Sequence, residues 1–259
     1  MKKRVLKALS WITTIPFLLV FGLILIIFHP LQVLGIRIGY QAHKRVVDAM
    51  MWSINNSLLF SGNYMKFINL AGNLPTDRPM IIISNHQSMF DIPAIGWALK
   101  AHHPKFVAKK EVEFGFPSIS YNVRNGGSIT IDRKDQRQAV KAIIGFTDYL
   151  NKTNRAGCIF VEGRRAKDGQ MRSFKRLGVS IMLKKMPNAI VVPVAIQNFW
   201  HLEEHKLLPV PFGYQYRCTV LPALDRTAFD NNDDIVEAAE QQIRNILKQP
   251  KVKEESINS

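Results

Sequence analysis

The sequence predicts an α/β protein with a mainly parallel central sheet flanked by helices and an N-terminal hydrophobic helical membrane anchor. Three observations predict it. From Met80 onward, short Ile- and Val-rich runs alternate with helix-length amphipathic segments, the pattern of consecutive β-α units. Several of those runs are apolar at every position, as strands covered on both faces are. Residues 8–36 contain no Asp, Glu, Lys or Arg, and residues 11–28 are nearly all apolar, which suits lipid.

Taken in order, the elements begin with the apolar run. It is longer than the core of a secretory signal and continues through bulky residues into Pro30 without a small-residue cleavage site, so it reads as a retained anchor. Lys2, Lys3, Arg4 and Lys7 precede it, while Arg37, Lys44 and Arg45 follow it. Positive charge on both flanks assigns no direction of crossing. The run either crosses the membrane as one helix or, broken at Pro16 and Pro30, folds into a re-entrant pair within one leaflet with its exposed backbone covered by protein. Residues 46–60 mix Met50, Met51, Trp52, Leu58 and Leu59 with few charges. They fit a second helix, lying on the membrane, on the anchor or in an ordinary core. The membrane-embedded segment is thus placed at residues 1–62 and the α/β domain at residues 63–249.

Gly72, Pro75 and Pro79, with Asn73 and Asp77 between them, mark a loop before the first strong strand. Strands are expected at residues 80–84, 105–108, 128–131, 157–161, 190–196 and 216–221, and helices at 92–101, 136–150 and 173–185. Residues 233–248 start acidic, finish basic and carry Ile235, Ala239, Ile243 and Ile246 on one face, a final amphipathic helix whose charges suit its dipole. The tail at residues 250–259 is expected to be disordered.

Lys and Arg number 35 against 20 Asp and Glu, a formal charge of +15 over 259 residues. Such a field attracts nucleic acid, an anionic membrane surface, or acidic substrates and carriers. No nucleic-acid recognition motif accompanies the charge, and a nucleic-acid protein leaves the anchor unexplained. Cys158 and Cys218 are too few for a disulfide framework and suit a reduced, cytosolic main domain.

The polar marks fall where strands end. Residues 81–83 run straight into Ser84-Asn85-His86, and Asp91 follows five residues after His86. A carboxylate beside an imidazole can fix its tautomer and make it a general base; the plainer alternative is Asp91 capping a helix with His86 a turn residue. Gly126-Gly127 lead a strand into Asp132-Arg133, and another strand ends in Glu162-Gly163-Arg164-Arg165, with Arg172, Lys175 and Arg176 close behind. Guanidinium forks beside a glycine suit a phosphate, although a solvated basic face would look alike. His201-Leu202-Glu203-Glu204-His205 has the spacing of inverted zinc peptidases, but Pro209 and Pro211 follow too soon for the helix that chemistry needs. There is no Gly-x-Ser-x-Gly elbow and no phosphate loop, and no metal or cofactor is expected.

Asn85-His86 with Asp91, then Ile131-Asp132-Arg133, then Phe160, Glu162-Gly163 and Arg165, then Val192-Pro193-Val194 stand in the order of the four blocks of the glycerolipid acyltransferases. Lys109 within Ala108-Lys109-Lys110-Glu111, Phe174-Lys175 and Leu221-Pro222 are lesser marks of the same kind. The chain resembles that family, in its bacterial 1-acylglycerol-3-phosphate acyltransferase type, over about residues 80–225. The resemblance implies that His86, oriented by Asp91, takes the proton from the sn-2 hydroxyl of a lysophosphatidic acid. The oxygen then attacks an acyl thioester directly, without an acyl-enzyme. A positioned base of this kind contributes roughly 10²- to 10⁴-fold.

By the same resemblance Arg133, Glu162, Gly163 and Arg165 hold the acceptor phosphate, Asn85, Lys109, Arg164 and Lys175 complete the substrate-binding set, and Val192 to Val194 shape a wall. The donor is acyl-coenzyme A or acyl carrier protein, the acceptor a lysophospholipid, and the enzyme sits in the cell inner membrane with its catalytic domain facing the cytoplasm. Where the family's third block reads Phe-Pro-Glu-Gly-Thr-Arg-Ser, this chain has Val161, Arg164 and Ala166 at the Pro, Thr and Ser positions, and Gly178 comes one position late. The added cation suits a more anionic or differently placed phosphate. Acylation of another lysophospholipid, and a non-catalytic module that binds anionic lipid or a carrier protein, are the alternatives.

Overall fold

The apolar run Met80–Ser84 becomes β2, the middle strand of a seven-stranded sheet, with all five residues buried. The structure, a computed structural model, describes residues 2–250, with side chains from residue 4; of the tail expected to be disordered at 250–259, all but Pro250 lies outside them. Across the sheet the order is β1 (Tyr64–Asn69), β7 (Gln215–Val220), β6 (Ile190–Gln197), β2, β5 (Ala156–Phe160), β3 (Lys105–Lys109) and β4 (Ile129–Ile131). All neighbours run parallel except β6 and β7. Ile82 stands in register with Cys158 on one side and Val192 on the other.

Alternation along β2 divides the core. Met80 and Ile82 face the layer made by α1 (Lys2–Ile38), α2 (Tyr40–Ser57) and α3 (Asp91–Ala98); Ile81 and Ile83 face α5 (Gln136–Thr153), α6 (Arg176–Lys185) and α7 (Asn232–Leu247). Truncating one of these isoleucines to alanine costs roughly 2–5 kcal/mol. Helices α5 and α7 start where the local chemistry allows: Asp135 accepts from the Gln138 amide, and Asn231 accepts from the amides of Asp233 and Asp234. Gly157 on β5 lies under Leu150 and Phe146 of α5 and Met182 of α6, so close that a Cβ would meet all three.

Two prolines fail to break α1, so of the two arrangements open to the apolar run the re-entrant pair inside it does not form. The helix is continuous, and the reversal comes at Gly39, ahead of α2. Pro16 and Pro30 both lie on the exposed side, so the ring and the missing N–H fall away from the packed face. That packed face ties the helix down on either side of Pro16 and beyond Pro30. Ser10 Oγ accepts from Phe212 N at 3.0 Å, Thr14 Oγ1 accepts from Val210 N at 2.9 Å, and Gln32 Nε2 donates to the Ser118 carbonyl at 3.3 Å.

The amphipathicity of α1 is inverted. Ser10, Thr14 and Gln32 are buried against the domain, alongside Phe17, Phe21 and Leu25, while Ile12, Ile15, Leu19, Leu23, Ile26, Leu34 and Ile38 are exposed. A row of bare aliphatics with the polar groups turned inward is the pattern of a lipid-facing helix. The segment Arg4–Ile38 is the one helix, among the described residues, long and apolar enough to cross a membrane.

Two elements have no counterpart in the sequence expectations. Strand β1 is at the sheet edge, and helix α4 (Ile119–Asn125) is a short helix with a single buried residue, Ser120.

Candidate active site

The carboxyl ends of β2, β3, β4 and β5 lie along one edge of the sheet and deliver the chemistry-bearing residues to it. Parallel strands put their following loops on the same side, so Asn85 and His86 (after β2), Lys109 (ending β3), Asp132 and Arg133 (after β4) and Glu162 to Arg165 (after β5) share that edge.

Asn85 is the exception in role. It is fully buried; its Nδ2 donates to the Ile196 carbonyl at 2.9 Å and its Oδ1 accepts from Ile196 N at 2.8 Å. Each end of the amide is bonded to β6, so this side chain extends the sheet ladder and fixes the backbone that leads into His86.

The next residue opens onto the edge. His86 Nδ1 lies 2.7 Å from Asp91 Oδ2. The same oxygen accepts from the amides of Gln87 at 2.6 Å and Ser88 at 3.0 Å. Asp91 is the first residue of α3, yet its carboxylate turns back to the preceding loop and caps no helical amide, so the capping alternative does not describe it. A carboxylate that already accepts two N–H groups asks His86 for a third, which places the imidazole proton on Nδ1 and leaves Nε2 with its lone pair. The ring stacks on Phe160 at 4.1 Å between centroids, and the side chain stays partly open, 13% exposed. Burial pushes the Asp91 carboxyl up, and the His86 and backbone hydrogen bonds pull against it.

The loop after β5 grips the same His86 by its backbone. Glu162 Oε1 accepts from His86 N at 2.7 Å, its Oε2 accepts from Arg172 N at 2.9 Å, and Ala166 N donates to the His86 carbonyl at 2.8 Å. Glu162 therefore shapes the site from beneath. Burial raises its carboxyl to about 7 against the two amides that hold it down. Gly163 sits at φ +68°, where side chains are strained, and the Lys175 chain lies across it.

The cations are arranged above this frame. Arg165 forks onto Glu203. Glu203 also accepts from Ser88 Oγ at 3.1 Å and Met89 N at 2.8 Å, so it ties the β5 loop to the loop carrying Asp91. Arg133 is near enough for the charges of Glu111 and Arg165 to act on it; partial burial, chiefly, lowers its guanidinium. Lys109 pairs with Glu111 at 2.6 Å, and Arg164 and Lys175 are exposed.

Glu203 was not singled out by sequence reasoning, except as one letter of the His201 to His205 spacing. In the structure that segment is a short 3₁₀ turn, Phe199–Glu203, followed by turns. His201 pairs with Glu204 at 3.2 Å and packs against Trp200 and Tyr214. No group of three or more His, Cys, Asp or Glu suited to a metal ion is found among the described residues.

Residues 67–197 match the family described as Acyltransferase. The chain belongs to the acyltransferase family. The matched stretch carries His86, Asp91, Arg133, Glu162 and Arg165, and the enzyme extends past it on both sides. This acyltransferase is 26% identical over 218 residues to the 1-acyl-sn-glycerol-3-phosphate acyltransferase of Limnanthes douglasii, an alignment covering 83% of this chain and 72% of that one. It is 32% identical over 134 residues to the chloroplastic 1-acyl-sn-glycerol-3-phosphate acyltransferase LPAT1 of Arabidopsis thaliana, covering 51% and 36% of the two chains. Its fold is that of the crystal structure of the 1-acyl-sn-glycerophosphate (LPA) acyltransferase PlsC from Thermotoga maritima, with a TM-score of 0.73 at 19% identity over 98% of this chain and 100% of that one.

Proposed function

We propose that this acyltransferase transfers a fatty acyl group from an acyl thioester to the sn-2 hydroxyl of 1-acylglycerol-3-phosphate, giving phosphatidic acid, with His86 as general base. The observation that carries the reading is the His86 and Asp91 pair: the three donors on Asp91 Oδ2 leave Nε2 as the imidazole's open acceptor. The relatives named for this reaction support the choice of acceptor.

Nε2 takes the hydroxyl proton as the oxygen attacks the thioester carbonyl. The carbon–sulfur bond then breaks, and the thiolate leaves with the proton returned by the imidazolium. Asp91 holds the ring and stabilises its transient charge. A thiol is a good leaving group, so deprotonating and orienting the alcohol are the main demands, and orientation alone can supply several kcal/mol. Arg133 and Arg165 take the acceptor phosphate with help from Lys109, Arg164 and Lys175, while Glu162 and Gly163 shape the loop that presents them.

Acyl-coenzyme A and acyl carrier protein both fit a chain of charge +15, since both donors are acidic. The outer face of α1 rests in the inner-membrane leaflet, with the catalytic edge on the cytoplasmic side where such thioesters are found. Arg164, at a position where the family carries a hydroxyl, favours a second acceptor reading in which another anionic lysophospholipid is acylated.

Acyl transfer by the detergent-purified chain tests the reading. Labelled lysophosphatidic acid is supplied with either donor, beside His86→Ala and Asp91→Ala. Phosphatidic acid formed by the wild type and lost in both variants supports it. Turnover of other lysolipids only would move the acceptor assignment to the second reading, and no turnover of any lysolipid would leave a binding module.

A further inference from the structure

At the amino ends of β3 and β5, the sheet edge opposite His86, a second set of basic groups converges. Lys105 opens β3, whose other end is Lys109 at the catalytic edge, so the two edges are about 13 Å apart along the strand. Arg155 immediately precedes β5 and stacks its guanidinium 3.6 Å over the Tyr40 ring. The Tyr40 hydroxyl is 2.6 Å from His103 Nδ1, and Lys105 Nζ lies 5.3 Å over the same ring. Lys44, one turn along α2, and Asp48, a further turn on, complete the group as an ion pair.

The charges do not balance. Lys44, Lys105 and Arg155 face the single carboxylate of Asp48, which Lys44 already engages; Arg155 bonds to the neutral phenol of Tyr149. Neither Lys105 nor Arg155 has an ion pair among the described residues. The cost is visible in the groups themselves. Burial, with Arg155 and Lys44 against it, brings Lys105 down to about 8, and burial with all three cations nearby brings His103 down to about 4. A purely structural packing of Arg155 on Tyr40 needs neither Lys105 nor Lys44, and neutral side chains there would avoid the repulsion.

We propose that this cluster is a second phosphate site, separate from the active site, in which Lys44, Lys105 and Arg155 receive the phosphate of an anionic membrane phospholipid. A lipid-borne phosphate is favoured over a soluble one by what adjoins the cluster. The exposed aliphatic row of α1 ends at Leu34 and Ile38, 55% and 71% exposed, and only Gly39 separates Ile38 from Tyr40. An amphiphile can lay its chain along α1 while its head group meets the cations.

The test is binding of the full-length chain to phosphatidylcholine vesicles with and without phosphatidylglycerol. Lys105→Gln/Arg155→Gln is compared with Lys184→Gln/Lys185→Gln, which removes the same charge from exposed positions on α6. The cluster pair should lose about tenfold in phosphatidylglycerol-dependent binding, the α6 pair much less. Thermal unfolding of the cluster variant should be no easier than that of the wild type, since repulsion has been relieved. Should losing Tyr40's partner unfold the chain, Lys44→Gln/Lys105→Met keeps the Arg155 stack and takes its place. Equal losses in the cluster and α6 variants, or no loss in either, would overturn the site. Inorganic phosphate forms the second arm: binding as tight as that of the phosphatidylglycerol vesicles, read as a thermal shift absent from the variant, would overturn the lipid assignment in favour of a soluble anion.

Discussion

The loops after β2 and β5 leave neighbouring strands side by side and are built on opposite plans. In the first, Asn85 and Asp91 are fully buried and their side chains are anchored to backbone: both ends of the Asn85 amide to Ile196, and Asp91 Oδ2 to the amides of Gln87 and Ser88. In the second, Glu162 is the one fully buried charged side chain, while Arg164, Arg165 and Lys175 reach into solvent and Arg165 is held by one partly exposed carboxylate. The contrast teaches that His86 is fixed by many contacts and the cations proposed to meet the acceptor by few. Head-group preference can therefore change, as the Arg164 substitution suggests, while the proton-accepting geometry stays put.

The sharpest way to break the comparison is Asp91→Asn. The three donors converge on one oxygen, so the Asn carbonyl can take the place of Oδ2 and still accept from Gln87 N, Ser88 N and Nδ1, but the negative charge that stabilises the imidazolium is gone. We expect kcat to fall by about 10³- to 10⁴-fold with the fold intact, the scale seen when a triad aspartate is amidated, checked by steady-state kinetics beside circular dichroism. A loss below tenfold would mean that the Asp91 charge does not support the imidazolium.

Glu162→Gln should cost less, about tenfold in kcat, because one amide of the pair His86 N and Arg172 N then faces a donor. It should also remove a pH effect. The wild-type carboxyl, raised from 4.5 to about 7 by burial, is protonated in the folded chain at pH values where the unfolded chain has already released its proton. The stability this group contributes is thus fully present below 4.5 and lost as pH rises through 7, whereas activity needs the ionised form and declines as pH falls below 7. Denaturant titrations and rate profiles across that window should both flatten in the variant.

Glu203→Ala releases Arg165 and strands Met89 N, an amide worth about 1–3 kcal/mol when left unpaired. The acceptor KM should move several-fold more than kcat; a change confined to kcat would place Glu203 with the base. Smallest is Arg164→Thr, for which we expect a few-fold change in the ratio of kcat/KM between lysophosphatidic acid and other lysolipids, read from competition assays, with total activity little altered.

The sheet was legible because six of its strands are short aliphatic runs, and β2 came out at the expected bounds, Met80–Ser84. β1 was not, since an edge strand half open to solvent carries Lys66 and Asn69 and lacks the aliphatic signature. The prolines of α1 left its geometry open because a helix-breaking rule speaks of an isolated segment; here the packed face, from Ser10 to Gln32, holds the helix across them. His86 and Asp91 are five residues apart and readable together. Glu203 lies 38 residues from Arg165, and only folding brings them into contact. Asn85 stood beside the base in sequence, and its tie to the sheet was not readable there, because its partner Ile196 belongs to a distant strand.

The inward face of α1 has a consequence for any attempt to take the molecule off its membrane. Phe17 and Phe21 pack on Phe90, with ring centroids 6.1 and 5.5 Å away, and Phe90 adjoins Asp91. The helix that meets lipid is also the roof over the residue that orients the base. Cutting it away would not liberate a soluble catalytic unit; it would expose Phe90, and the Asp91 beside it, to water. For this chain, loss of α1 and collapse of the reaction centre are a single event.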